Sequence, residues 1–474
     1  GKFGGDTDNW IWPRHTGDFS MFRVYASKDN RPAAYSPQNV PYRPKKHFSI
    51  STKGVKEGDF TMIYGFPGNT QEYILSDAVA YIAERSDPAK IAIRTGRLDI
   101  ITKAQESDPA LRIHYAAKHA SIANAWKKWQ GEALGIDRRG TVAAKFDYET
   151  QFGLWSVGRP EYAGVVMGLR VEYDRIMDAY FAYEITRETL STLPAAYTPE
   201  ERAEECFARR KSAEQALWRH AFREYGRCPK VYRTPSYAEG MARYKSPEAY
   251  ADALFEAVWE GSDSVAMQPA VRLREETKRM LDHISWMLGT KSLRNLNSKI
   301  LNELYTTYIK GLREWDRERA FYPDANLTLR VAYGSVAGYE YADGEYHKPQ
   351  TTLDGIIAKD NPEIYDYDIP QSLRDLYASK NYGRWGTVID GRRTVPVCFL
   401  ATNHTTGGNS GSPVLNAGGE LIGINFDRTW RSTMSDIAYD PAICRNIAVD
   451  IRYVLFVVDR VGGAGYLLKE MTLK

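Results

Sequence analysis

Near the end of the chain, Thr405-Thr406-Gly407-Gly408-Asn409-Ser410-Gly411-Ser412-Pro413-Val414-Leu415 sets a serine in a glycine-rich turn that runs straight into an apolar strand. The chemistry such a pattern can do is acyl transfer. Glycines let the backbone bend far enough to expose the Ser410 hydroxyl, and the Gly408 and Ser410 amides can point together at an oxygen that becomes negative. Ser410 is therefore the candidate nucleophile, and Gly408 with Ser410 the candidate oxyanion hole. Alone, the same run also reads as an ordinary loop, because Gly, Asn and Ser favour turns. A phosphate-cradling loop is disfavoured, since no Lys-Ser/Thr pair follows the glycines.

Far upstream, Asp18 stands at the mouth of a second apolar run, Phe19 to Tyr25. The pairing resembles the chymotrypsin-like peptidases, in which Asp precedes such a strand, Gly-Asp/Asn-Ser-Gly-x-Pro carries the nucleophile, and the chain order is His, Asp, Ser. Longer strings narrow the resemblance. Gly4-Gly5-Asp6-Thr7-Asp8-Asn9-Trp10-Ile11-Trp12-Pro13-Arg14-His15-Thr16-Gly17-Asp18-Phe19, Gly407 to Pro413, and Val449-Asp450-Ile451-Arg452-Tyr453-Val454-Leu455-Phe456 are together similar to the bacterial dipeptidyl peptidase 7 and 11 family. These motifs lie near both ends, so the resemblance extends over essentially the whole chain. It implies a serine-type dipeptidyl peptidase in which Asp18 orients a catalytic histidine, and it puts that histidine upstream of this chain. Of the eight histidines present, His15 belongs to the family string without being its base, and His404 reads as a strand-end or loop residue. The chain by itself is accordingly expected to be inactive.

The resemblance also assigns Asn9, Trp10 and Asp427 to the free α-amino group of a peptide. An ammonium needs an anion and neutral acceptors, and an anchor about 7 Å from the scissile carbonyl, two extended residues, measures off a dipeptide. Arg428 would then face the side chain before the cleaved bond. Arginine there marks the dipeptidyl peptidase 11 subfamily, which prefers Asp or Glu, whereas the dipeptidyl peptidase 7 subfamily has a small residue and accepts apolar side chains. A guanidinium pairs bidentately with a carboxylate and is costly to bury against leucine. The alternatives are a surface Arg428 bridged to a neighbour such as Asp436, a structural salt bridge for Asp427, and a turn and a core aromatic for Asn9 and Trp10.

The positioning elements must be found in a chain of 474 residues, longer than a usual single domain. With 63 basic against 60 acidic residues the net charge is only +3, which argues for neither a nucleic-acid nor an anionic-membrane partner. No apolar run of about eighteen residues predicts a membrane span. Cys206, Cys228, Cys398 and Cys444 lack zinc-ligand spacing, so no metal or other cofactor is expected; each reads as a buried thiol, with a Cys206–Cys228 pair left open.

Residues 19 to 66 alternate apolar runs with turn signals, and Phe19 to Tyr25, Phe48 to Ser51 and Phe60 to Tyr64 read as strands. From Tyr73 the period becomes helical, with start signals at Asp108-Pro109, Thr198-Pro199-Glu200-Glu201 and Ser246-Pro247-Glu248. Trp126-Lys127-Lys128-Trp129 reads as core aromatics beside exposed lysines. Strand patterns resume with Leu327, Leu329, Val331 and Tyr333, followed by Val336 to Tyr339, Val395 to Leu400, Val414-Leu415, Leu421 to Phe426 and Ile447 to Val458. The expected organisation is a β-rich peptidase domain split between residues 1–72 and 325–474, with an α-helical cap domain, 73–324, inserted. By resemblance the fold is a chymotrypsin-like double β-barrel without its N-terminal strands. The family further implies a periplasmic homodimer acting on peptides with a free N-terminus; the alternatives are an apolar-preferring relative and a non-catalytic peptide-binding module.

Overall fold

One strand from the first seventy residues ties the two ends of the chain together. In the computed structural model, which describes residues 3–17, 19–261, 264–289 and 297–474, strand β1 (Phe60–Gly65) alternates Thr61, Ile63 and Gly65 inward with Phe60 and Tyr64 outward. It lies between β2 (Arg330–Ser335) and β5 (Ser412–Leu415), both from the second segment. With β3 (Gln350–Thr352), β4 (Pro396–Ala401), β6 (Leu421–Arg428) and β7 (Asn446–Asp450) they form one antiparallel sheet in the order β2-β1-β5-β6-β7-β4-β3.

The sheet curls back on itself. Val336, just past β2, bridges Ala401 at the end of β4, and the Thr402 amide donates to the Ser335 carbonyl at 3.0 Å. Inside the curl Ile63, Val336, Phe399, Val414, Ile422 and Ala448 pack as an apolar core. β4 is buried along its whole length, as a strand walled on both faces must be, and Leu400 pairs there with Ile447.

Contacts divide the chain into two units, Gly1–Glu72 with Asp324–Lys474, and Tyr73–Pro323. The second unit is helical. Its helices include α1 (Asp87–Ser107), α2 (Pro109–Arg138), α3 (Thr141–Ser156), α4 (Val165–Glu188), α5 (Lys211–Tyr225), α6 (Pro247–Glu260) and α7 (Lys299–Trp315). The starts follow from capping: Asp108 accepts from the Ala110 amide at 2.7 Å, Ser246 from Ala249 at 3.0 Å, and Thr198 with Glu201 makes a reciprocal capping box. Leu98, Ile101, Leu111, Tyr115, Ile122 and Leu217 interlock α1, α2 and α5. Trp126 donates to Thr95 Oγ1 at 2.8 Å and Trp129 lies under Lys90 and Arg94; both rings, and Lys127 and Lys128 between them, are half-buried, neither core aromatics nor exposed lysines.

Several elements depart from the sequence pattern. Of the run Phe19 to Tyr25 only Tyr25–Ala26 is strand; Ser20 to Tyr25 is exposed and finds no partner in the seven-stranded sheet. Phe48 to Ser51 contributes only bridges at Ile50. The apolar run from Ile447 splits at Asp450, whose side chain accepts the Arg452 amide at 2.9 Å and starts a helix over Ile451–Phe456; a continuous apolar run cannot distinguish the two forms because both are buried. Leu327 takes a φ of 67° and is exposed, so the strand opens only at Arg330. All four cysteines are buried free thiols, which removes the Cys206–Cys228 pair. Among the described residues no helix is long and apolar enough to cross a membrane.

Candidate active site

The nucleophile loop is shaped by two left-handed glycines, Gly408 at φ 106° and Gly411 at 84°. A Cβ on Gly408 would collide with the Phe66 carbonyl oxygen, because the turn Phe66–Gly68 packs against the loop and the Gly68 amide donates to Gly407 O at 2.7 Å. Ser410 is exposed at the crest, its Oγ donating to Phe426 O at 3.3 Å. Among the described residues neither the Gly408 nor the Ser410 amide is engaged in a hydrogen bond.

Beneath the crest lies a ladder of buried asparagines. Asn446 Nδ2 donates to Asn425 Oδ1 at 2.9 Å, Asn425 Nδ2 donates to Asn409 O at 3.1 Å, and Asn409 Oδ1 accepts the Thr406 amide at 3.0 Å. Buried amides bonded in series fix one loop geometry, since each broken link would strand a polar group in the core. Only Asn409 was singled out by the motif; Asn425 was legible solely as a polar break in the apolar strand Leu421 to Phe426, and Asn446, just before the run from Ile447, carried no signal.

The end of β6 is where the loops meet. Its register against β7 shifts between Asn425, opposite Ala448, and Asp427, opposite Ile447. The bulge takes Phe426 out of the ladder, and its carbonyl then meets Ser410. Asp427 Oδ2 accepts the Trp10 amide at 3.1 Å and Arg14 Nη1 at 2.9 Å, while Oδ1 accepts the Arg428 amide at 2.8 Å. Trp10 holds φ 68° and its carbonyl accepts the Trp430 amide at 2.6 Å, which docks the Asn9-Trp10 loop onto the strand. Asn9 is half-buried beside it, its amide donating to Asp6 O at 3.3 Å. Burial pushes the Asp427 carboxyl above the usual range, and Arg14, 2% exposed, is the chief pull in the other direction. Asp427 is thus already ion-paired, by a residue that sequence reasoning passed over.

Arg428 is buried, 4% exposed, not at the surface, but it bridges Asp436 as the alternative reading had it. Its fork holds Asp436 bidentately, Nη1 to Oδ1 at 2.6 Å and Nη2 to Oδ2 at 2.7 Å. Nη1 also meets Ser435 Oγ at 2.9 Å and Thr405 O at 3.2 Å, and the Trp10 ring lies 5.5 Å from the guanidinium carbon. Gly408, Ser410, Trp10, Asp427 and Arg428 therefore converge around the end of β6. Asp18 lies outside the described residues.

Each of the eight histidines has its contacts away from Ser410. His404 Nε2 donates to Ser435 O at 2.8 Å. His47 bonds Thr472, His119 Thr102, His220 the Ile93 carbonyl and His347 Glu345, while His283 stacks on Trp286. In the helical unit His114, Glu204 and Cys206 cluster, but Arg210 Nη1 sits on His114 Nε2 at 2.7 Å and Glu204 at 3.3 Å, where a cation would go.

His15 is packed against Gly355, and burial, then Lys359, lowers its pKa to about 4, with Asp8 pulling weakly upward. The unfolded chain takes up this proton near pH 6.5 and the folded protein only near 4, so stability falls as pH drops through that window, by about 3 kcal/mol from this group. His15→Gln is expected to remove that part of the slope. Denaturant unfolding of both proteins at pH 7 and pH 4 checks it; equal losses in the two proteins would reject the assignment.

A family profile described as peptidase S46 matches residues 1–200 and 196–473. The Asp/Glu-specific dipeptidyl-peptidase of Capnocytophaga gingivalis is 41% identical, the match covering 100% of this chain and 71% of the relative. Dipeptidyl-peptidase 7 of Phocaeicola vulgatus is 34% identical over the same shares. The crystal structure of Porphyromonas endodontalis DPP11 in complex with dipeptide Arg-Glu superposes with a TM-score of 0.84 at 33% identity, covering 100% of this chain and 73% of that one.

Proposed function

The chain belongs to the peptidase S46 family, and from that premise we propose that it is the nucleophile-bearing part of a serine dipeptidyl peptidase that releases N-terminal dipeptides ending in Asp or Glu. The observation that carries the reading is the end of β6, where the Ser410 crest, the Asp427 carboxylate and the Arg428 guanidinium come within two residues of Phe426. It is supported by the names of its relatives, the Asp/Glu-specific dipeptidyl-peptidase and the DPP11 bound to Arg-Glu.

In this reading Ser410 Oγ attacks the carbonyl of the second residue while a histidine takes its proton, with Asp18 orienting that histidine. The family resemblance puts that histidine before Asp18, in sequence not among these 474 residues, and in this reading the stretch alone does not hydrolyse peptides. The unengaged Gly408 and Ser410 amides receive the oxyanion. The imidazolium returns its proton to the leaving amine, and water, deprotonated by the same base, then frees the dipeptide from Ser410. Asn9, Trp10 and Asp427 hold the substrate ammonium. Because Arg14 already shares Asp427, the ammonium enters as a second cation on one carboxylate, and neutral acceptors around Asn9 and Trp10 complete its coordination. Arg428 faces the acidic side chain. The reading extends to a chymotrypsin-like double β-barrel of which the curled sheet is one half, and to a periplasmic homodimer; the supporting fact is family resemblance.

The test is a panel of fluorogenic dipeptides ending in Asp, Glu, Leu or Lys, each with a free and an acetylated amino terminus, offered to the full-length protein. Release only from free-amine Asp and Glu substrates is the expected outcome. Release from Leu substrates would move the enzyme to the apolar-preferring kind, release from acetylated ones would remove the ammonium anchor, and no release at all would leave a peptide-binding module.

A further inference from the structure

Arg428 does not wait for its substrate with an open fork. Both Nη atoms are held by Asp436 at 2.6 and 2.7 Å, in a pair whose side chains are 5% and 12% exposed. Resting on the reading of function above, we propose that Asp436 is a specificity-determining residue, the resident carboxylate that the acidic side chain of the substrate exchanges with on Arg428.

Three observations carry this. First, a buried guanidinium without an anion is strongly destabilising, so an arginine selector in this position needs a counter-ion whenever the site is empty. Asp436 supplies it with the planar, two-pronged geometry that a substrate Asp or Glu would itself use. Second, neutral groups also hold the guanidinium. Ser435 Oγ at 2.9 Å, Thr405 O at 3.2 Å and the Trp10 ring orient the guanidinium without satisfying its charge. One carboxylate can leave and another arrive with those contacts kept. Third, the backbone that presents Asp436 is pinned. Its own carbonyl accepts the Gln71 amide at 2.6 Å, the preceding carbonyl of Ser435 accepts His404 Nε2 at 2.8 Å, and the turn Trp430–Asp436 is helical. Exchange is then a side-chain rotation of Asp436, not a loop movement.

The consequence is a threshold. In the resting pair the net charge is zero, so an apolar side chain gains nothing from Arg428 and an acidic one gains the guanidinium only after overcoming Asp436. Like charges forced together in such a site are costly, and the affinity for an acidic dipeptide is lower than Arg428 alone would give.

The test uses the full-length protein, wild type and Asp436→Asn, with free-amine substrates ending in Glu and in Leu. Asparagine keeps the shape and removes the competing charge. The expected result is a KM for the Glu substrate lowered about tenfold relative to that for the Leu substrate, one factor of ten being about 1.4 kcal/mol, with kcat for both little changed and a lower melting temperature in the absence of ligand. A KM ratio unchanged or shifted against Glu would show that Asp436 only positions Arg428 and would overturn the exchange. Wild-type protein that releases neither dipeptide overturns the functional reading and this proposal with it; wild-type release with an unshifted variant overturns this proposal alone. Should Asp436→Asn not fold, a crystal structure of the wild type with a bound dipeptide ending in Glu decides. The ligand carboxylate on Arg428 with at least one Asp436 bond released supports exchange, and both Asp436 bonds intact with the ligand carboxylate elsewhere rejects it.

Discussion

Ser410→Ala in the full-length protein is expected to lower kcat for dipeptide release by about six orders of magnitude, the size of effect seen when the nucleophile of a triad is removed. The residual rate would come from the two loop amides and from substrate binding alone. Stability should barely change, because Ser410 is exposed and its hydroxyl makes only a 3.3 Å bond to Phe426 O. The φ values of Gly408 and Gly411 and the Asn446–Asn425–Asn409 ladder do not involve the Ser410 side chain, so the loop should keep its form. The measurement is single-turnover release of a Glu-ending dipeptide beside the melting temperature. An alanine variant that retains more than a hundredth of the activity at an unchanged melting temperature would exclude Ser410 as the nucleophile.

Arg428→Gly should reverse the side-chain preference, lowering the ratio of kcat/KM for Glu over Leu substrates by about a thousandfold, or ~4 kcal/mol. The structure dictates how this has to be done. Removing Arg428 alone leaves Asp436 buried without its main counter-charge, a loss of about 3–5 kcal/mol that would confound activity with folding. The double variant Arg428→Gly with Asp436→Asn removes both charges and keeps the loop near neutral. Leu-ending substrates should then gain, since a cavity stands where the guanidinium was, and Glu-ending ones should lose the guanidinium that pairs with them. If the double variant still prefers Glu, selection resides elsewhere in the site.

Both variants rest on one geometric fact, the bulge at Phe426. Without that extra residue Asp427 and Arg428 would exchange faces of β6, and neither the Trp10 amide nor the Thr405 carbonyl could be met as they are.

Local chemistry was legible in the sequence because it is carried by residue type. A serine between glycines predicts a bent, exposed turn, and Gly408 and Gly411 adopt the left-handed φ that only glycine takes without strain. Capping residues announced helices at Asp108, Thr198 and Ser246 for the same reason, since the side chain and the amide it accepts lie within three residues. The change of period at Tyr73 was legible for the same reason, since hydrophobic spacing is carried by residue type. What depends on partners distant in sequence was decided only by the tertiary structure. Phe19 to Val24 has strand composition but no place in the seven-stranded sheet; only its end meets a partner, Val24 O accepting the Tyr42 amide at 2.9 Å. Ile451 to Phe456 is as apolar as β7 and becomes helix because Asp450 caps it. Asp436, the partner of Arg428, was named from the sequence as a near neighbour in the turn beyond β6, whereas Arg14, the partner of the adjacent Asp427, arrives in a loop docked from the other end of the chain and was not foreseen. Charge pairing in a buried site is set by distances across the fold, and no spacing within a strand encodes them.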